Sequence, residues 1–335
     1  MMAQLNAFDM DRELLYEKVP LDTPFNVNIE PTSLCNINCK YCVHSLSTTA
    51  LQRTGFTLGS MNWNVFQEAV KQMDKFPRKI KKIAFAGLGE PLLHKQLPNM
   101  IKEIKKADVA EKTLVDTNAL LMTPDIVHEL VSSGLDEIKI SLQGITNDAY
   151  KKTCGAIIDF TNFYKTLKYL YENRGNCCIK IKIADISLDD NEREKFFDLF
   201  GNICNYISIE HIYDQFLDVT GESVLNTDHC CNRFGSELRK YSVCSLLFYR
   251  INIRWDGSVT LCCPDGLTDK NLHISKIALQ DIWNGDIRRN LMKTNLTGKL
   301  RNISKCRNCK NVEYLLHQED VLDGHEKEIL QRLGC

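Results

Sequence analysis

From about residue 24 to 212, short apolar runs alternate with helix-like segments, and this rhythm leaves the chain few folds to adopt. The candidate strands are FNVNIE (25–30), KIAFAG (82–87), KTLVDTN (112–118), EIKISL (137–142), CIKIKIADI (178–186) and NYISIEHI (205–212). The first intervening helix, around Asn62 to Phe76, sets Phe66, Ala69, Val70 and Met73 at i, i+3, i+4 and i+7, an apolar stripe. Asn62, Thr123 and Asp190 fall where N-caps belong. Strands alternating with helices pack as parallel β/α units joined by right-handed crossovers. Six strands are too few to close an eight-stranded barrel, so the expected core is an open, partial (β/α)6 parallel barrel in an α/β chain.

Within these strands polar and apolar residues alternate. Asn26, Asn28 and Glu30 oppose Val27 and Ile29; Glu137, Lys139 and Ser141 oppose Ile138 and Ile140; Lys180 and Lys182 alternate with isoleucines; Ser208 and Glu210 share one side. Two readings are open. Either the sheet has one solvated face, or helices cover the apolar face and the polar face lines an interior that takes a polar ligand. Residues 1–23 form an extension and 24–213 the barrel; residues 214–240, rich in turn formers, read as a linker. Residues 241–335 form a small α+β domain, with a hairpin in FYRINIRWDGSVTLCC turning at Asp256-Gly257 and helices near 278–294 and 309–331.

Lys plus Arg is 42 and Asp plus Glu is 43, a balance that argues against a nucleic-acid or anionic-membrane partner. The basic run from Lys71 to Lys82 reads as a solvated helix end and loop. No apolar stretch approaches about 18 residues, and the N-terminus has no signal-like pattern, so a cytoplasmic protein is expected. In a reducing cytosol the fifteen cysteines are metal ligands, catalytic groups or core residues rather than disulfides.

Two cysteine groups stand apart. Cys35, Cys39 and Cys42 follow the first strand as C-x3-C-x2-C, with Tyr41 before the last. Three thiolates on one loop can hold a four-iron cluster and leave one iron open; the alternative is a zinc knuckle borrowing His44. The triplet resembles the cluster motif of the radical S-adenosylmethionine (SAM) superfamily. Other segments resemble that family in order: AGLGEP (86–91), with Gly89, Glu90 and Pro91 in the methionine-binding loop; DTNA (116–119), with Asn118; and SLQGITNDAY (141–150), with Ser141 a ribose contact and Gln143 where an aspartate is frequent. Tyr41 lies on the adenine side. The resemblance implies a SAM-binding [4Fe-4S] cluster, SAM, and a flavodoxin- or ferredoxin-type electron donor.

Cys244, then Gly257-x4-Cys262, then Cys306-x2-Cys309 resembles the twitch or SPASM auxiliary-cluster domain of the same family, which implies a second [4Fe-4S] cluster; zinc is again the alternative. Cys263 is an alternative to Cys262. Cys154, in the segment after the fourth strand, is a candidate hydrogen donor, and the remaining cysteines read as core or surface thiols.

The layout resembles the family's cyclitol dehydrogenases, implying oxidation of an alcohol to a ketone on a small polar, sugar- or cyclitol-like substrate, with the auxiliary cluster accepting an electron. Lys182, Glu210 and His211 are candidate bases by position. Epimerisation or peptide modification, with Cys154 quenching a substrate radical, is the second enzymatic expectation. An electron carrier or zinc scaffold is the third, non-enzymatic, one.

Overall fold

The computed structural model describes residues 3–5, 12–214, 225, 231–263 and 268–334. All six expected strands are present: β2 (Asn26–Ile29), β3 (Ile80–Phe85), β4 (Ala110–Thr117), β5 (Glu137–Leu142), β6 (Cys178–Ala184) and β7 (Tyr206–Glu210), preceded by a short β1 (Gln4–Leu5). Neighbours from β2 to β7 pair in parallel. The sheet order is β1-β7-β6-β5-β4-β3-β2-β8-β9-β10, so the barrel is open.

The apolar positions face the helices. Val27, Ile29, Ile83, Phe85, Val115, Ile138, Ile140, Ile179 and Ile181 are all fully buried. Each such side chain contributes about 1.5–3 kcal/mol by leaving water. The helix Trp63–Met73 buries the expected stripe of Phe66, Ala69, Val70 and Met73, and Asn62 caps it by accepting the Asn64 N–H. Thr123 caps the helix Pro124–Ser132 in the same way. With the apolar face covered, the polar face lies inside, and the half-exposed sheet is excluded.

Three local expectations need correction. Asp190 caps nothing, because that helix starts later, at Glu192, where the Glu192 carboxylate accepts the Asp189 N–H instead. The basic run does not end in solvent: Lys82 sits in β3 with its side chain 12% exposed, inside the barrel. The two C-terminal helices are broken. Residues 278–294 become Leu279–Asn284 and Asp286–Leu296, parted at Gly285, where a Cβ would lie 2.2 Å from the Asp281 carbonyl oxygen. Residues 309–331 become Asn311–Tyr314, a single 3-10 turn Gln318–Asp320, and Glu326–Arg332.

The hairpin forms as β8 (Arg250–Ile253) and β9 (Ser258–Thr260), with Gly257 at φ +89°, the left-handed conformation the turn requires. It does not stand apart from the barrel. β8 pairs in parallel with β2, placing Arg250 beside Asn26 and Asn252 beside Asn28, and β10 (Thr268–His273) adds beyond β9. The C-terminal segment therefore continues the barrel sheet at its β2 edge. Arg288 ties this segment together. It is fully buried, donates to the carbonyls of Leu247, Trp283 and Phe248 at 2.9–3.0 Å, and stacks over the Trp283 ring.

Candidate functional site: two thiol groups on one cavity

The loop after β2 wraps because other elements supply its hydrogen bonds. The helix Asn147–Cys154 ends with carbonyls that have no intrahelical partner. Two of them, Thr153 and Cys154, accept the N–H groups of Lys40 and Asn38 at 3.0 and 3.1 Å. Ser33 adds a link to Gly59, accepting its N–H at 2.9 Å. Cys35 and Cys42 are half-buried and Cys39 is buried, and all three line a cavity of about 440 Å³. Burial pushes the Cys35 thiol up to about 11, with Glu90 and Cys42 adding to the rise. Cys39 rises further, by burial and then by Cys42, Cys154 and Cys35. Metal binding displaces such protons.

These donors fit an iron–sulfur cluster better than zinc. Among the described residues no three His, Cys, Asp or Glu side chains converge on one point as the ligands of a single ion do. Thiolates of a cubane each bind a different iron, so they need not converge. His44, the alternative fourth ligand, places its Nε2 2.7 Å from the Leu88 carbonyl oxygen.

That contact joins the cluster loop to the Gly87–Pro91 loop. A Cβ on Gly89 would lie 2.2 Å from the Thr32 carbonyl oxygen and 2.5 Å from that of Leu34; one on Gly87 would meet Glu30 Cγ at 2.6 Å. Both glycines permit close backbone approach. Glu30, not singled out from the sequence, accepts the Leu88 N–H at 2.8 Å. Both oxygens of Glu90 accept protein donors: Thr117 Oγ1 at 2.6 Å and Leu92 N–H at 2.9 Å on one, Asn118 N–H at 2.7 Å on the other. Burial raises its carboxyl to about 7, against the pull of those donors. Pro91 starts the 3-10 turn that follows, and the Asn118 side chain donates to Asn36 at 2.8 Å. Gln143 accepts the Tyr41 hydroxyl at 2.6 Å, which gives this departure from the family's aspartate a positional reason.

Deeper in the cavity the polar strand faces form a chain of contacts. Ser141 donates to Asp116 at 2.9 Å; Lys182 lies 3.5 Å from Asp116 and 3.2 Å from Glu210; Arg233 lies 2.6 Å from Glu210. Burial alone would raise the Glu210 carboxyl, but Arg233 and Lys182 override it and hold it at about 2. That is far below what a general base needs at neutral pH, so Glu210 serves to position Lys182 and Arg233. His211 is occupied elsewhere, with Nδ1 3.0 Å from Asp185. Cys154 is buried and its Sγ donates to the Tyr150 carbonyl at 3.1 Å; the thiol on the cavity wall is Cys263. Arg233 and Asp116 were not singled out because their importance depends on partners distant in sequence.

The second thiol group also assembles. Cys244 is raised by burial and by Cys262, Cys309 and Cys306, and Cys306 is pushed up to about 12 by burial, Cys262 and Cys309. Asn295 brackets Cys244, accepting its N–H at 3.1 Å and donating to its carbonyl at 2.8 Å. Arg301 donates to the carbonyls of Cys306 and Cys309 at 2.9 and 2.7 Å. Asn252 of β8 accepts from Asn28 at 2.9 Å and donates to the Cys262 carbonyl at 3.0 Å, tying this group to the barrel. Cys262 and Cys263 have their sulfurs 3.8 Å apart. Of the other cysteines, Cys177 and Cys204 are buried core residues, while Cys230 and Cys335 lie outside the described residues.

Comparison with known proteins gives the same two units. A model of the radical SAM superfamily matches residues 29–200, and one of the SPASM iron-sulfur cluster-binding domain matches 244–310. A tungsten-containing aldehyde ferredoxin oxidoreductase cofactor-modifying protein of Pyrococcus furiosus is 30% identical over 39% of this chain and 34% of its own length. A GTP 3',8-cyclase of Clostridium perfringens is 26% identical over 53% of this chain and 51% of its own. The chain thus spans about half or less of these relatives.

Solved structures share the fold over greater lengths. BtrN in complex with AdoMet and 2-DOIA has a TM-score of 0.56 at 18% identity, covering 88% of this chain and 96% of that one. The sulfatase-type name anSMEcpe, with bound AdoMet, stands for a structure at 0.60 and 15%, covering 92% of both. The cofactors are accordingly SAM, its four-iron cluster and auxiliary iron–sulfur. No described helix is long and apolar enough to cross a membrane. By its motif, fold and sequence match, the chain belongs to the radical SAM superfamily and carries a SPASM domain after its partial barrel.

Proposed function

We propose that this enzyme removes hydrogen from an alcohol carbon of a small polar, sugar- or cyclitol-like substrate and completes its oxidation to a ketone. The observation that carries the reading is that one cavity meets both thiol groups. It is lined by Cys35, Cys39 and Cys42 and also by Cys263, whose sulfur is 3.8 Å from that of Cys262. Cys35, Cys39 and Cys42 would hold the first cluster, and Cys244, Cys262, Cys306 and Cys309 the auxiliary one. When bound, these groups and SAM supply a 5'-deoxyadenosyl radical that takes the hydrogen atom and an acceptor for the electron that follows.

The chain's own residues do the rest. Tyr41, Gly89, Pro91, Asn118 and Ser141 shape the SAM side, with Glu90 fixing the loop. We assign the hydroxyl proton to Asp116, whose side chain is 28% exposed against 7% for Glu210, with Lys182 beside it to stabilise charge. A flavodoxin- or ferredoxin-type protein would supply the first electron. The polar interior, with its Asn, Lys, Asp and Glu side chains, is matched to a hydroxyl-rich substrate. An electron carrier or zinc scaffold has no use for such a cavity.

Cys263 on the cavity wall favours one second reading, epimerisation, in which that thiol replaces Cys154 as the hydrogen donor. The test uses carbon-deuterated sugars and cyclitols with the reconstituted enzyme, SAM and a reductant. Deuterium in 5'-deoxyadenosine together with a ketone product supports oxidation. Recovery of an epimer that acquires solvent deuterium supports the second reading. Deuterium transfer from neither sugars nor cyclitols would sink the substrate class.

A further inference from the structure

We propose that the end of the barrel interior remote from the cluster loop is an oxyanion site, holding a phosphate or carboxylate carried by the substrate. The proposal rests on the radical SAM reading of the other end.

The parallel register builds the site. Asn26 on β2 is paired with Arg250 of β8 on one side and Lys82 of β3 on the other, and Lys82 is paired with Lys112 of β4. Four adjacent strands thus present Arg250, Asn26, Lys82 and Lys112 in one row on the inner face, spaced by about 4.8 Å per strand. Like charges side by side on one face repel and need a counter-charge.

The carboxylates nearby do not suffice. Glu137 alone meets three ammonium groups, Lys180 at 3.0 Å, Lys82 at 3.1 Å and Lys112 at 3.8 Å. Asp320 is engaged by Arg12 and Glu13 by Lys81. Glu111 is the remaining acidic group of this wall. Arg250 faces the cavity with its buried Nε unmatched by any acceptor among the described residues. An arginine beside lysines and an amide donor suits a multi-oxygen anion.

The space is continuous with the reaction end. The cavity that contains the cluster-loop thiols and a second cavity of about 650 Å³ share Arg12, Asn26, Lys82 and Tyr249. From Asn26 to Glu30, at the level of the Gly87 loop, the strand rises about 13 Å. A substrate with its reacting carbon near the cluster loop can therefore carry an anionic group down to Arg250.

The experiment is calorimetric titration of inorganic phosphate, and separately of acetate, into the full-length, anaerobically reconstituted protein. Arg250→Gln is compared with wild type and with Lys102→Gln, an exposed lysine away from the cavity. The site predicts saturable binding of one anion that weakens on the order of tenfold in Arg250→Gln and is unchanged in Lys102→Gln. Phosphate binding assigns a phosphate ester, and acetate binding without phosphate assigns a carboxylate. Should Arg250→Gln fail to take up iron, Lys112→Gln at the half-exposed end of the row takes its place. Binding of neither anion, or equal affinity in all proteins, overturns the site. Reductive SAM cleavage by wild type is measured alongside. Cleavage without anion binding removes this site alone, whereas loss of cleavage removes the reading beneath it.

Discussion

The most demanding residue is Gly89. Any side chain there would enter the carbonyl oxygens of Thr32 and Leu34, which belong to the backbone just before Cys35. Gly89→Ala must therefore displace the cluster loop, and we expect SAM affinity to fall at least about tenfold by equilibrium dialysis. Unchanged affinity would mean that the two loops are not coupled. Arg233 governs the deeper charge chain. In Arg233→Met, Glu210 stays buried with Lys182 as its remaining listed cation, and loss of a buried partner costs about 3–5 kcal/mol. Because the folded Glu210 carboxyl is depressed to about 2, its contribution is present above the unfolded value of about 4.3 and is lost as pH falls through 2. Urea unfolding should show the gap between wild type and Arg233→Met at pH 7 and a smaller gap at pH 3. The thiols and Gly89 were legible because spacing alone marks them. Glu30, Asp116 and Arg233 were not, since each acts through a partner brought near only by the sheet.

Among the elements, β2 to β7 were readable because each alternates polar and apolar residues, and only a helix-covered sheet with a polar interior satisfies that pattern. The attachment of β8 was not. Its hairpin turn is local, but its pairing with β2 joins residues more than two hundred positions apart, as in the Asn28–Asn252 hydrogen bond. The C-terminal helices were misjudged for a related reason: apolar spacing continued across Gly285, but the chain there packs too close to Asp281 to remain one helix. Asn252 links β2, Thr260 and Cys262 in one buried contact set. Removing it leaves buried polar groups unmatched, at a cost of about 1–3 kcal/mol. Asn252→Ala should lower the melting temperature and reduce auxiliary iron while sparing the iron held by the Cys35 loop, as followed by calorimetry and iron analysis. Equal loss from both sites would show that Asn252 serves the fold generally.

For the whole molecule, a sheet that runs from the barrel into the C-terminal hairpin places both thiol groups against one cavity. The central claim is that these groups hold two separate clusters. Iron and sulfide per chain should be measured after anaerobic reconstitution in wild type and in the Cys35→Ala, Cys39→Ala, Cys42→Ala triple variant. The account predicts about eight irons in wild type and about four in the variant, as two four-iron clusters require. A variant that holds no iron, with zinc on the C-terminal thiols of wild type, would contradict it and leave the cavity without an internal electron acceptor.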